Sequence, residues 1–181
     1  MAILKIARMG HPVLDRRAEP VADPSAPEIR RLVADMIETM IDRPGQGLAA
    51  PQVHVPLRIV VFLKPHDDPA TGTPRELQVL INPVIDALDG AAASAWEGCL
   101  SVPGLRGLVP RPDRVRYRGV DLDGREIDRS VAGWHARVVQ HECDHLDGML
   151  YPRRMTDLKD LIFDSEWRHR VPSAADAKEN A

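Results

Sequence analysis

The sequence predicts one α+β domain of mainly antiparallel strands packed around a central helix, with another helix near the C terminus. Its 181 residues, 44% of them hydrophobic, are enough for a single sizeable core. Short segments rich in β-branched residues are bounded by Pro, Gly or Asp, as strands are. Longer segments repeat their apolar residues at helical spacing. We expect the domain to span residues 1–170, and the small, polar residues 171–181 to form a disordered tail.

The first helix is predicted from Pro27 to Ile41. Ser25 and Glu28 have the spacing of a capping box, and proline stands in the first turn, where a helix tolerates it. Apolar residues then recur every three or four positions: Ile29, Leu32, Val33, Met36, Ile37 and Met40. This spacing places them on one face, which we expect to pack on the core.

Four strands are predicted after this helix. They cover Arg58–Leu63, Leu77–Ile81, Arg114–Val120 and Arg125–Ser130. The polar segment Lys64–Arg75, with its prolines and a glycine, is predicted to be a surface loop. An Asp-Gly turn separates the last two strands and predicts an antiparallel hairpin.

The central helix is predicted from Val131 to Leu146, and Gly148 stands where a helix ends. It carries the pattern HExxH, in which His141 and His145 lie one turn apart on the same face and can bind one metal ion. Glu142 between them can act on a water at that ion. This segment is therefore predicted to be a metal-binding helix.

A last helix is predicted from about Thr156 to His169. Leu158, Leu161, Ile162 and Trp167 would share one side of it.

Composition and charge exclude several classes of protein. The 24 Lys and Arg residues are balanced by 27 Asp and Glu, and the net charge of −3 offers no footprint for specific nucleic-acid binding. The longest apolar run, Ile59–Leu63, is far short of the ~20 residues that a membrane helix needs. The first residues lack the pattern of a secretory signal. We therefore expect a soluble, cytoplasmic protein whose two cysteines are reduced.

Cys99 is the best candidate for a third metal ligand. Its thiol would complete a Cys-His-His set and leave a fourth position open, as in catalytic rather than structural metal sites. Taken alone, a free cysteine is more often a small buried residue. Cys143 lies two positions from each histidine, so it points away from their face and is predicted to pack in the core.

Three motifs together resemble the peptide deformylase family. They are GQGLAAPQ at residues 45–52, EGCLS at residues 97–101 and QHECDHL at residues 140–146. The resemblance runs from about Ile6 to Trp167. Residues 133–137, GWHAR, are similar to the branch that includes animal mitochondrial enzymes, and without a transit peptide we expect a bacterial member.

The resemblance implies removal of the formyl group from the N-formylmethionine of newly synthesised polypeptides, with release of formate. A metal ion held by Cys99, His141 and His145 would lower the pKa of a water, whose proton Glu142 would accept and pass to the departing amine. The side chain of Gln52 and the backbone N–H of Leu100 would stabilise the oxyanion.

The substrate peptide would pair as an added strand with the backbone of residues 45–47. Gly45, Gln46 and Gly47 are thus expected to bind substrate.

Other pocket residues depart from the common family pattern. Many relatives carry aliphatic residues where this chain has Gln46, Trp134 and Arg137, which we also assign to substrate binding. Arg137 lies one turn before His141 and could narrow the side-chain pocket, or it could be an exposed helix arginine. Arg106 matches a family position that could meet the peptide backbone, or it is a surface residue.

The identity of the metal is open from the residues alone. One thiolate with two imidazoles suits Zn(2+), whereas the family uses Fe(2+). We expect Fe(2+) in the cell, and Zn(2+) or Ni(2+) after purification in air. The expected partners are N-formylmethionyl nascent peptides, with a transient association with the ribosome.

Two alternatives remain. A zinc peptidase also uses HExxH but normally takes a downstream Glu or His ligand, and Glu166 lies beyond the metal helix, within the last predicted helix. A noncatalytic ribosome-associated module could hold a structural metal, but such a site needs neither Glu142 nor Gln52.

Overall fold

The computed structural model describes residues 2–64, 75–88, 90 and 92–169. Two antiparallel sheets and two α-helices form its frame, joined by short 3-10 helices. The helices are α1 (Pro27–Asp42) and α2 (Gly133–Leu146). The strands are β1 (Gly47–Ala49), β2 (Ile59–Leu63), β3 (Leu77–Ala87), β4 (Ala92–Cys99), β5 (Val102–Pro112), β6 (Arg114–Val120), β7 (Glu126–Ala132) and β8 (Leu161–Phe163).

The larger sheet has the strand order β1-β2-β3-β6-β7, and the smaller has the order β4-β5-β8. All pairings between these strands are antiparallel. Helix α2 packs against strands of both sheets. Within the described residues no helix is long and apolar enough to cross a membrane.

Two main apolar clusters hold the larger sheet between the helices. One packs α2 on one face of β2, β3 and β6 through residues such as Phe62, Tyr117 and Val139. The other packs α1 on the opposite face through Met36, Met40 and Ile59. Phe62 and Ile59 lie on opposite faces of β2, because successive side chains of a strand point to opposite sides. Burial of these apolar side chains thus fixes the position of α2 on the larger sheet.

The predicted core elements are confirmed, with differences at their ends. Helix α1 begins at Pro27 as expected, but no side chain caps it, since the Ser25 hydroxyl donates to Asp23 instead. Helix α2 begins at Gly133 because the two residues before it continue β7. Most of the predicted loop Lys64–Arg75, and the predicted tail from residue 171, lie outside the described residues.

The hairpin of β4 and β5 was missed by sequence reasoning. Strand β5 contains Pro103, Pro110 and Pro112, which normally argue against a strand because proline cannot donate to the ladder. Here β5 pairs fully with β4 on one side, but on the other side it meets β8 only at Leu105–Gly107. An edge of this kind tolerates proline.

The predicted continuous helix from Thr156 to His169 is wrong. The segment contains a 3-10 helix at Leu158–Asp160, strand β8, and a C-terminal 3-10 helix at Asp164–His169. Strand β8 adds to β5, and these backbone hydrogen bonds to a neighbouring strand replace those of a helix. A C-terminal helix is present, but it is short and of the 3-10 type.

Gly148 ends the metal helix, and its substitution should separate backbone strain from close packing. It has a left-handed φ of 71°, and a Cβ would lie 2.8 Å from the backbone carbon of Asp15. Gly124 has a similar φ of 76° but nothing within 4 Å of a Cβ. We expect Gly124→Ala to lower the free energy of unfolding by about 1–2 kcal/mol, and Gly148→Ala to lower it clearly more. Urea unfolding measures both; equal losses would show that the packing of Gly148 is unimportant.

Candidate metal centre

Three side chains meet at the junction of the smaller sheet and α2. Cys99 stands at the end of β4, and His141 and His145 lie one turn apart on α2. One ligand atom from each lies within 4.8 Å of the others, and no other such group of three occurs in the described part of the chain. The Cys99 Sγ is 3.4 Å from the His145 Nε2. A single ion could contact all three, as the sequence predicts.

Glu97 orients the first histidine. The Nδ1–H of His141 donates to Glu97 Oε2 at 2.8 Å, which leaves Nε2 to bind a metal ion. Glu97 is buried, yet its pKa lies well below the usual range, because hydrogen bonds from His141 and Arg111 outweigh the effect of burial. The carboxylate therefore stays ionised and fixes the ring.

Arg111 connects Glu97 to a second buried carboxylate. Its guanidinium donates to both oxygens of Glu97, at 2.6 and 2.9 Å, and to Asp144 at 2.8 Å. Arg154 donates to both oxygens of Asp144. Both carboxylates lie close to candidate metal ligands in sequence, Glu97 near Cys99 and Asp144 beside His145. Of these two carboxylates, only Glu97 contacts a candidate ligand, His141. Asp144 instead accepts hydrogen bonds from Arg111 and Arg154.

The surroundings of the two histidines suit a cation. Burial keeps the pKa of His145 well below its usual value, so its imidazole is neutral and free to ligate. Burial also disfavours a charge on His141, but Cys99 and Glu97 raise its pKa well above the usual value. These two neighbours favour positive charge at the ring, which a bound metal ion would supply. The donor set and its environment therefore fit a divalent metal.

Cys143 does not belong to the site. Its side chain packs in the cluster under α2, as predicted. Burial raises the pKa of the thiol, which keeps it protonated. A protonated thiol facing an apolar core is not a ligand.

Glu142 points into the same cleft as the ligands. Its carboxylate is buried, and burial raises its pKa to about 7. The Oε2 atom has no partner among the described residues. A carboxyl group poised near neutral pH is suited to accept and return a proton.

Gly47 lies directly against this carboxylate. A Cβ at Gly47 would overlap the Glu142 carboxylate, with the Cγ at 2.7 Å. Sequence reasoning assigned this glycine to the approach of a ligand. The structure adds that the strand edge can approach Glu142 only because residue 47 has no side chain.

Gln52 presents its amide to the metal ligands. Its Oε1 accepts from the Ala49 N–H at 2.8 Å, so the NH₂ group faces the other way. This Nε2 donates to Ser101 Oγ at 3.2 Å and is 3.6 Å from Cys99 Sγ. Gln52 is buried and is not an exposed glutamine.

The N-terminal segment joins the first two motifs. The backbone N–H of Ala7 donates to the Gln52 carbonyl, and that of Met9 donates to the Ser101 carbonyl. The side chain of Leu100, in the turn after Cys99, packs against Gly45. The predicted motifs are thus parts of one wall.

An open cleft of about 1270 Å³ leads to these residues. This exceeds the roughly 300–1,000 Å³ that is common for sites of small ligands. At its mouth the Trp134 Nε1–H donates to Gln46 Oε1 at 2.7 Å, which links α2 to the segment before β1. The size of the cleft is appropriate for an extended chain.

The two predicted arginines line the cleft but are held by protein groups. Arg137 is buried, donates to Glu97 and to two backbone carbonyls, and so is not an exposed helix arginine. Arg106 pairs with Asp164 at 2.7 Å, and its guanidinium lies 4.3 Å from the ring centroid of Trp167. Both residues therefore shape the wall of the cleft.

Some contributors had no sequence signal. Arg111 lies within a proline-containing segment with no spacing relation to the ligands. His11 and His54 have no spacing relation to the ligands in sequence, yet their ring centroids are 4.7 Å apart and both residues line the cleft. Glu166, the alternative peptidase ligand, is exposed in the C-terminal 3-10 helix.

The family model for "Polypeptide deformylase" matches residues 3–161. The chain is 53% identical to "Peptide deformylase 2" of Bordetella bronchiseptica, over 84% of this chain and 88% of that one. A crystal structure of peptide deformylase from Ehrlichia chaffeensis in complex with actinonin has a TM-score of 0.79 and 36% identity, covering 88% of this chain and 92% of that chain. The Met-Ala-Ser-bound class I type b enzyme from Acinetobacter baumannii has a TM-score of 0.75 and 34% identity, covering 84% and 99%.

Substitution of each cysteine in turn should show that Cys99 binds the metal ion and that Cys143 does not. We expect the protein loaded with Co²⁺ to show thiolate-to-cobalt charge-transfer absorption, which Cys99→Ser abolishes and Cys143→Ala retains. Of the two thiols, only that of Cys99 lies within 4.8 Å of the ligand atoms of both histidines, whereas Cys143 packs in the core. Optical titration with Co²⁺ and metal analysis after dialysis provide the measurements. Persistence of the band in Cys99→Ser would contradict the assignment.

Proposed function

Because this chain belongs to the polypeptide deformylase family, we propose that Cys99, His141 and His145 hold its catalytic metal ion and that Glu142 is its general base. The enzyme removes the N-terminal formyl group from the formylmethionine of newly synthesised polypeptides and releases formate. One observation carries the residue assignment. The three candidate ligand atoms lie within 4.8 Å of one another, and Cys99, His141 and the buried Glu142, whose pKa is about 7, line one open cleft.

When bound, a divalent ion would supply Lewis acidity, which lowers the pKa of water and polarises the formyl carbonyl. Glu142 accepts a proton from the attacking water and then delivers it to the departing amine. Its raised pKa supports both steps, because a group near neutrality exists in both protonation states at working pH. Overall, the formyl amide reacts with one water molecule to give the free amine and formate.

Gln52 and Leu100 stabilise the negative oxygen that forms on the formyl carbon. The donor group of Gln52 is oriented in advance, since its carbonyl oxygen already accepts from Ala49 and its NH₂ faces Cys99. Leu100 follows Cys99 in the turn between β4 and β5, so its backbone N–H lies beside the metal ligand. Donors fixed before reaction need no reorganisation and typically contribute about 3 kcal/mol each.

The peptide binds as a strand along Gly45, Gln46 and Gly47. Strand β1 pairs with β2 on one side only, so its other edge is available for added hydrogen bonds. Gly47 lets that edge pass close to Glu142. Trp134, Arg137 and Arg106 line the cleft that would hold the side chains. The structure of the Acinetobacter relative with Met-Ala-Ser bound supports a peptide as the ligand.

We propose Fe(2+) as the ion in the cell and Zn(2+) or Ni(2+) as replacements after purification. The donor set of one thiolate and two imidazoles accepts all three. The substrates are N-formylmethionyl nascent peptides, which places the enzyme in the cytoplasm with a transient association with the ribosome. This setting follows from the substrate, because formylated N termini arise during translation.

Replacing Glu142 tests the function directly. The metal-loaded enzyme should release formate from N-formyl-Met-Ala but leave N-acetyl-Met-Ala intact, and Glu142→Gln should lower kcat by about 10²–10⁴-fold. Gln keeps the size of the side chain but cannot accept the proton. Formate release gives the rate, and metal analysis confirms that loading is unchanged. Full activity in Glu142→Gln would exclude this general base, and an inactive wild-type enzyme would overturn the function.

Exposure to air should identify the native metal. We expect anaerobic Fe(2+) enzyme to be active and to lose activity in air, since Fe(2+) beside the Cys99 thiolate is oxidisable. Enzyme loaded with Ni(2+) should keep its activity over the same period. Parallel assays with each metal, with metal content measured before and after, provide the comparison. An air-stable Fe(2+) enzyme, or equal activity with Zn(2+), would argue against iron.

A further inference from the structure

We propose that the mouth of the cleft selects nascent peptides that carry acidic side chains at their third and fourth residues. This rests on the proposed function, because the same cleft must hold the formylated N terminus. The proposal concerns charges at the rim, where residues beyond the methionine would leave the site. These charges are separate from the metal ligands and from Glu142.

Besides the buried Arg137 of α2, cationic side chains reach the cleft from three separate segments. Lys5 and Arg8 come from the N-terminal segment, Arg43 follows α1, and Arg106 comes from β5. Lys5, Arg8 and Arg43 are exposed. The concentration of positive charge at one opening is notable in a chain with a net charge of −3.

The acidic residues of the cleft do not offset these cations. The three that line it are Glu97, Glu142 and Asp164. Glu97 is buried and bound by Arg111, Arg137 and His141. Glu142 is buried beside the ligands. Only Asp164 stands near the surface, and it is paired with Arg106.

The exposed cations are available for a substrate. Among the described residues, Lys5 and Arg8 make no ion pair, and Arg43 has only a 3.3 Å contact with its exposed neighbour Asp42. An ion pair of this kind between exposed side chains contributes little. Lys5, Arg8 and Arg43 therefore present net positive charge to anything that leaves the cleft.

The position of these residues fixes which part of the substrate they meet. Arg43 stands two residues before Gly45, at the end of the segment proposed to pair with the peptide. Arg8 follows Ala7, whose N–H binds the Gln52 carbonyl, so it flanks the opposite wall. The formyl group and methionine occupy the metal end of the cleft. The third and fourth residues are the first to pass between the exposed cations.

The expected size follows from exposed ion pairs. Each contributes about a two- to fivefold effect, and more than one would act on a substrate with two acidic residues. We expect kcat/KM for an acidic peptide to exceed that for a basic one by roughly tenfold at low ionic strength. Salt should reduce the preference, because charges at the rim are screened.

The test compares C-terminally amidated peptides that differ only in charge. They are formyl-Met-Ala-Glu-Glu, formyl-Met-Ala-Gln-Gln and formyl-Met-Ala-Lys-Lys, assayed by formate release with the metal-loaded enzyme at low salt and at 0.5 M KCl, a concentration at which the screening length falls to a few ångströms, about 4 Å. The ratio for Glu-Glu over Lys-Lys is the readout. It should be about tenfold at low salt and fall towards one at high salt.

Variants assign the preference to the rim. Arg8→Gln and Arg43→Gln together should bring the ratio close to one while changing turnover of the Gln-Gln peptide less than about twofold. Arg125→Gln is the matched control, since Arg125 is an exposed arginine in the turn between β6 and β7 and does not line the cleft. It makes the same change in charge as one rim substitution and should leave the ratio unchanged.

Each outcome bears on the proposal. A wild-type ratio at or below one, a ratio insensitive to salt, or a ratio that survives in the double variant would overturn it. A ratio lost equally in Arg125→Gln would show an effect of net charge alone and would also overturn it. If even the Gln-Gln peptide is not hydrolysed, the proposed function itself fails and this inference falls with it.

Discussion

The buried carboxylate of Glu97 is the constraint around which the site is arranged. It receives hydrogen bonds from His141 on α2, Arg111 on β5 and Arg137 on α2, while it belongs to β4. A buried charge with fewer partners would be strongly destabilising, because its loss of hydration would not be compensated. The smaller sheet can therefore meet α2 in only one register. That register brings Cys99, two residues after Glu97, to the histidines.

The same packing explains why the carboxylate of Glu142 and the open edge of β1 lie together. Glu142 follows His141 on α2 and reaches across to β1, where Gly47 has no side chain to exclude it. Burial that keeps water away also raises the pKa of Glu142, which is what proton transfer at neutral pH requires. Ionised Glu97 and the titratable Glu142 thus differ because the Glu97 carboxylate accepts hydrogen bonds from Arg111, Arg137 and His141, whereas Glu142 Oε2 has no hydrogen-bond partner among the described residues.

Sequence patterns predicted the parts of this fold whose determinants are local. The HExxH helix, α1 and the hairpin of β6 and β7 each depend on spacing or turn residues within a short segment. Arg111 could not be found in this way, because its role depends on carboxylates 14 and 33 residues away in sequence. The last predicted helix failed for a related reason. Leu161 and its neighbours have an apolar spacing compatible with a helix, but β5 offers an unpaired edge that only the folded chain reveals.

The hydrogen bond between Trp134 and Gln46 has a structural consequence at the mouth of the cleft. An aliphatic residue in place of Gln46 could not accept the indole hydrogen of Trp134, and an aliphatic residue in place of Trp134 could not donate it. This hydrogen bond therefore requires both Gln46 and Trp134. The link joins the residue before β1 to the first turn of α2. Gly47 packs against Glu142, about two turns further along the same helix. Strand β1 is thus held to α2 at two points, and its open edge is positioned by the helix that carries His141, Glu142 and His145.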